Sequence, residues 1–179
     1  MAAKQGEPQV RTSEAENPAG KRPSSIQVVE FVLGKEHFAI DLFDVKEVVE
    51  FTTITKLPNT LEYVRGIIDL RGEITTIIDL KHRLNITDGT EVASESSRII
   101  VLDDKITSTK IGILVDDVTS VSTFEGSQVD YTSSSSSSTE NSSIIGIIKR
   151  KVKVKEKEKN ELIIWINIKQ LLGDIYSSV

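Results

Sequence analysis

Two histidines, one adjacent acidic pair, one corner arginine and one dense run of charge have the widest chemical reach in this 179-residue chain. A histidine can serve as general base or metal ligand near neutral pH. His37 and His82 are the only two, and neither has a partner at metal-ligand spacing. His37 falls in an expected hairpin and His82 in a short capped helical turn, so both read as surface or half-buried residues. Two carboxylates act as an acid/base pair only when they face the same space. Asp116 and Asp117 are adjacent, and consecutive strand side chains point to opposite faces, so they read as structural or solvated. There is no P-loop, no G-x-G-x-x-G, no H-E-x-x-H and no nucleophile elbow. The absence of cysteine excludes disulfides, thiolate metal sites and cysteine nucleophiles. No catalytic residue, metal site or cofactor is expected. Asn85-Ile86-Thr87 and Asn141-Ser142-Ser143 match the glycosylation pattern, but no export signal precedes them, so both read as accidental.

The charged run is "KRKVKVKEKEKNE", Lys149 to Glu161. Its period of two predicts an extended, mostly solvated hairpin, and lysines on such an edge discourage strand-to-strand association. As a functional element it would contact an acidic partner, lipid or nucleic acid, with the glutamates diluting the positive field. The net charge of −5 argues against a general nucleic-acid binder. No apolar run approaches the roughly 20 residues of a membrane helix. The expectation is a soluble, cytoplasmic protein with no direct membrane insertion.

Around these residues the chain is rich in β-branched side chains, which favour strands. Residues 1–25 are polar, with Pro8, Pro18 and Pro23, and are expected to be a disordered tail. Val28 to Leu33 and His37 to Leu42 form a hairpin over a turn at Gly34–Glu36, and Val45 to Phe51 a third strand. Pro58 breaks the pattern, and Thr60 to Gly66 is expected to form one helical turn ending at the glycine. A second hairpin, "GIIDLRGEITTIIDLK" (Gly66 to Lys81), turns at Leu70-Arg71-Gly72-Glu73. Gly72 supplies a positive φ there, and Asp79 caps the turn that follows. Thr87 to Ser97 reads as a linker. The same grammar then restarts with "RIIVLD" (Arg98 to Asp103) and "IGILVDDVTSV" (Ile111 to Val121). A flexible connection is expected from Ser122 to Ser143, with the Ser-rich loop at 132–143. "GII…LIIWINIK", Gly146 to Lys169, repeats the second hairpin. The order and spacing predict an internal duplication of two small all-β barrels with short helices, about 26–86 and about 98–176, between which strands may be exchanged. The groove between them is a natural binding site.

The blocks "FVLGKEHFAIDLFDVKEVV", "ITKLPNTLEYVRGIIDLRGEITTIIDLKHRL", "RIIVLDD", "KIGILVDDVTSV" and "IIGII…LIIWINIKQLL" closely resemble the CheW-like family of chemotaxis coupling proteins. The resemblance covers Ser25 to Asp174, within a CheW-like domain at 26–176. It implies two SH3-like five-stranded β-barrels packed around a shared hydrophobic interface. It also implies a non-catalytic adaptor that bridges the cytoplasmic tips of methyl-accepting chemotaxis receptors to the regulatory domain of the histidine kinase CheA. Such a protein would be a monomer when free and recruited to membrane-associated receptor arrays. By matched position, the resemblance assigns receptor binding to Val45, Glu47, Gly66, Arg71, Gly112, Val118 and Val121. Arg71, with five donors and a permanent charge, would hold Glu47, cap carbonyls at the corner or meet a partner. The valines would anchor a receptor helix or simply pack in the core. Three departures stand out. Asp69 replaces the usual asparagine, the strand Ile74 to Leu80 lacks the usual proline, and the Lys/Glu extension at 149–161 replaces a short turn. Two other readings stay open: a CheW-like scaffold for another kinase pathway, and a barrel binding nucleic acid or anionic surfaces through the extension.

Overall fold

The computed structural model describes residues 22–89, 93–131 and 143–176. The expected tail lies outside these residues up to Lys21, and the serine-rich loop lies outside them up to Ser142. Eleven strands form two sheets: β1 (Ser25–Leu33), β2 (Glu36–Asp41), β3 (Val45–Glu50), β4 (Val64–Leu70), β5 (Glu73–Asp79), β6 (Arg98–Leu102), β7 (Ile111–Val115), β8 (Asp117–Glu125), β9 (Val129–Asp130), β10 (Ile144–Val154) and β11 (Lys157–Ile166). Among the described residues, two short helices, α1 (Leu80–Arg83) and α2 (Ile168–Tyr176), each follow a hairpin. Asp79 caps α1, accepting from His82 N at 3.1 Å, and Asn167 does the same for α2 through Gln170 N at 3.2 Å.

The strand orders are β8-β1-β2-β11-β10-β9 and β3-β6-β7-β5-β4. The sheets do not follow the contiguous bounds 26–86 and 98–176. The hairpin β1–β2 joins strands of the second half, and β6 and β7 of the second half join β3, β4 and β5. Within each sheet the crossover is a parallel pairing, β2 with β11 and β7 with β5. The duplication is visible in the registers. Pairing of β3 with β6 skips Lys46 at a bulge, and pairing of β8 with β1 skips Thr119 at the matching place. Ile77 stands opposite Gly112 in one parallel pair, and Trp165 opposite Ala39 in the other.

Three apolar clusters fill this arrangement. Val28, Phe124, Ile148 and Trp165 pack within the six-stranded sheet, and Ile68, Ile77, Ile99 and Val101 within the five-stranded one. A larger cluster joins the two sheets: Val29, Phe31 and Ile40 meet Ile78, Ile100, Ile113 and Ile168. Strands such as "IGILV" are buried on both faces and therefore read as unbroken apolar runs. Each fully buried Ile or Val contributes roughly 1.5–3 kcal/mol, so the shared cluster ties the two barrels into one folding unit.

Two sequence expectations are corrected. Thr60 to Gly66 holds only the single turn closed by Val64 N donating to Leu61 O at 2.9 Å, and it ends before the glycine, because β4 begins at Val64 and runs through Gly66. Gly66 is needed for a close approach. Thr55 and Ile67 exchange two 2.9 Å backbone hydrogen bonds, and a Cβ on Gly66 (φ +140°) would sit 2.1 Å from the Thr55 carbonyl oxygen. The stretch from Ser122 to Asp130 is structured, because Phe124 and Val129 are buried and hold β8 and β9 on the barrel. The Lys/Glu run forms the expected hairpin, turning at Lys155 and Glu156, both at positive φ as a tight primed turn requires.

Candidate partner-binding surface

The turn between β4 and β5 stands at the rim of the five-stranded barrel. Arg71 adopts φ 54° and Gly72 φ 84°. Asp69 accepts from Gly72 N at 2.7 Å and so braces the turn, a bond that an asparagine oxygen in the same place would also accept. The corner aims Arg71 across the barrel mouth, where its Nη2 donates to Glu47 Oε2. The side chain of Arg71 stays 70% exposed. Next to this pair, Lys110 Nζ binds Glu73 Oε2 at 2.9 Å and Asp104 Oδ1 at 3.3 Å, and Lys46 Nζ reaches Asp104 Oδ2 at 3.3 Å. Hydrogen bonding from Lys110 and then Lys46 holds the Asp104 carboxyl below its ordinary range. The carboxylates of Glu73 and Asp104 push the Lys110 ammonium well above its own. The side chains enclose a depression of about 110 Å³ with Leu70 and Val101 in its walls. Thr75 lines it too, fully buried, with an Oγ1 that has no hydrogen-bond partner.

Six of the seven expected receptor-binding residues fall into three groups. Glu47 and Arg71 are brought into direct contact. Val45 and Val118 open equivalent stretches of β3 and β8, and both are half-buried against the cluster that joins the barrels. Gly66 and Gly112 are backbone spacers. A Cβ on Gly112 would lie 2.7 Å from Ile99 Cγ2 and 2.9 Å from Ile77 Cδ1. Val121 stands apart from these groups, on β8 of the six-stranded sheet, and is 60% exposed.

Lys46, Asp104 and Lys110 escaped sequence reasoning, although Lys110 directly precedes a strand and Asp104 opens the preceding turn. So did a second network at the matching rim of the six-stranded barrel. Arg150 Nη1 donates to Glu30 Oε1 at 2.8 Å, its Nε donates to Glu161 Oε2 at 2.8 Å, and His37 Nε2 lies 3.4 Å from Glu161 Oε1. Burial works against the Arg150 charge, but hydrogen bonds to Glu161 and Glu30 outweigh it and raise its pKa. Glu30 is fully buried. The signal was present: a lone acid in "VVEFV" is a charge inside an apolar strand, and such a charge needs a partner. The registers make the two rims equivalent. Glu161 opposite Arg150 corresponds to Glu73 opposite Leu70, and His37 corresponds to Lys110.

This rim offers salt bridges and a shallow apolar floor. Among the described residues, no group of three His, Asp or Glu is placed to hold a metal ion. A family model of the CheW-like domain matches residues 27–175. The chemotaxis protein CheW of Thermotoga maritima is 28% identical over 149 residues, covering 83% of this chain and 89% of that protein. Its counterpart in Rhizobium meliloti is 28% identical over 122 residues, covering 68% and 76%. Among solved structures, the scaffolding protein TtCheW of Thermoanaerobacter tengcongensis matches with a TM-score of 0.62 and 35% identity, over 79% of this chain and 88% of that one.

Proposed function

This chain belongs to the CheW-like domain family, and from that premise we infer that it is a non-catalytic chemotaxis adaptor coupling chemoreceptors to the kinase CheA. The observation that carries the reading to particular residues is the Arg71–Glu47 pair. It is held at an open barrel mouth by a braced turn, with the arginine largely in solvent. A charged pair placed there adds little to stability but offers a fixed donor fork to a partner.

In this reading Glu47 and Arg71 meet the cytoplasmic tip of a methyl-accepting receptor directly. Val45 from one sheet and Val118 from the other support that face from beneath, Gly66 and Gly112 keep the backbone close enough to shape it, and Val121, further along β8, adds an exposed apolar contact. The CheA regulatory domain takes another part of the surface. The free protein is a cytoplasmic monomer that joins membrane-associated arrays through its partners. No helix among the described residues is long and apolar enough to cross a membrane.

The test is a pull-down of the purified chain with the cognate receptor signalling fragment and the kinase regulatory domain. Capture of both is expected, and capture of neither rejects the reading.

A further inference from the structure

Beyond the rim of the six-stranded barrel, β10 and β11 run on as a two-stranded arm. Strand β9 pairs with β10 only at Ile147 and Ile148, and β2 pairs with β11 only from Ile163 onward. Residues 149–162 therefore pair only with each other. Directly opposed residues share a face, so the register sorts the arm chemically. After the buried pair Ile148–Ile163, one face continues as Arg150–Glu161, Val152–Lys159 and Val154–Lys157.

Arg150 is engaged with Glu30 and Glu161, and this fixes the arm's base to the barrel. Beyond it, the face presents two valines and two lysines and no carboxylate. Val154 is 53% exposed, and neither Lys157 nor Lys159 enters an ion pair among the described residues. From Lys149 to Glu161 the arm holds seven basic and three acidic residues, a balance of +4 that leaves −9 on the rest of the chain.

We propose that this arm is a second docking element, whose valine–lysine face takes an acidic, partly apolar surface of the kinase, the receptor being seated at the Arg71–Glu47 rim of the other sheet. The inference rests on the coupling function above. Charge complementarity and the interleaved valines select the partner. A surface of phosphates reads charge alone and offers Val152 and Val154 nothing apolar to pack against. Within a second copy of this chain, Asp104 is already held by Lys46 and Lys110, Asp116 by Lys81 and Asp44 by Lys169. Because the base is pinned, the face is presented in one direction, which reduces the ordering cost of binding.

The test uses the full-length chain and two double variants, K157E/K159E and V152S/V154S, titrated against the cognate kinase and the receptor signalling fragment. The charge reversal is expected to weaken binding to the kinase by about ten-fold at low salt, with the gap closing at about 0.5 M NaCl. The serine variant is expected to weaken the same partner at both salt concentrations. Both variants should keep the parent melting temperature, because these side chains lie outside the core. Unchanged affinity of both variants for the kinase, or weakening confined to the receptor, overturns the inference alone. So does loss of binding to phosphatidylglycerol vesicles or duplex DNA, or of self-association, with partner binding intact. No binding by the unmodified chain overturns the coupling reading and this inference with it.

Discussion

At the scale of single residues, the two barrel rims use charge in opposite ways. Arg71 is exposed, so Arg71→Ala should shift stability by less than about 1 kcal/mol while weakening receptor capture; thermal melting by circular dichroism, run beside the pull-down, checks both. Val45 is less suited to such a test, since Val45→Asp would press a carboxylate against the shared core. Lys110 holds Asp104 below its ordinary range, so Lys110→Met should move the Asp104 titration upward, read by carboxyl-carbon NMR. The sign follows from the lowered value. The small stability Asp104 contributes is present above the ordinary carboxylate range and is lost as pH falls through its folded pKa. In contrast, Arg150 faces a fully buried Glu30. Arg150→Met leaves that charge uncompensated and should cost about 3 kcal/mol or more in chemical denaturation. Adding Glu30→Gln should recover most of the loss, a coupling that only residues in contact show.

Elements were legible where a local pattern decided them. The β1–β2 and β4–β5 hairpins followed from alternation around Gly34 and Gly72, and the cap at Asp79 from its place before "LKHR". Thr60 to Gly66 misled because a glycine after an amphipathic stretch looks like a helix C-cap. Its true task is to let Thr55 lie against β4, a contact between segments that the local pattern does not encode. Gly66→Ala should cost about 3 kcal/mol or more and abolish hydrogen-exchange protection at Thr55 and Ile67. Phe124 and Val129 were masked by the serine-rich composition around them, although each is an apolar anchor. Of the candidate site, Arg71 with Glu47 was legible because the resemblance assigns both to one surface and a corner guanidinium calls for a carboxylate. Lys110 with Asp104, and Arg150 with Glu30, depend on pairings set by the whole fold, the last across 120 residues.

For the molecule as a whole, strand exchange is the governing feature. Each sheet needs strands from both halves, so neither half can complete a barrel or cover its share of the common core. A fragment ending at residue 89 should therefore show no cooperative melt alone. Mixing it with the remainder should restore a native-like circular-dichroism spectrum, and the intact chain should unfold in one transition. Two barrels merely stacked face to face would separate by peeling, one apolar contact after another. Here β2 is locked beside β11, while the chain beyond β2 crosses into the other sheet. Any pull between the barrels therefore loads whole ladders of hydrogen bonds in shear, and these yield together or not at all. The two barrels are therefore expected to move as one body, so that a partner held on one is set at a fixed position relative to a partner held on the other.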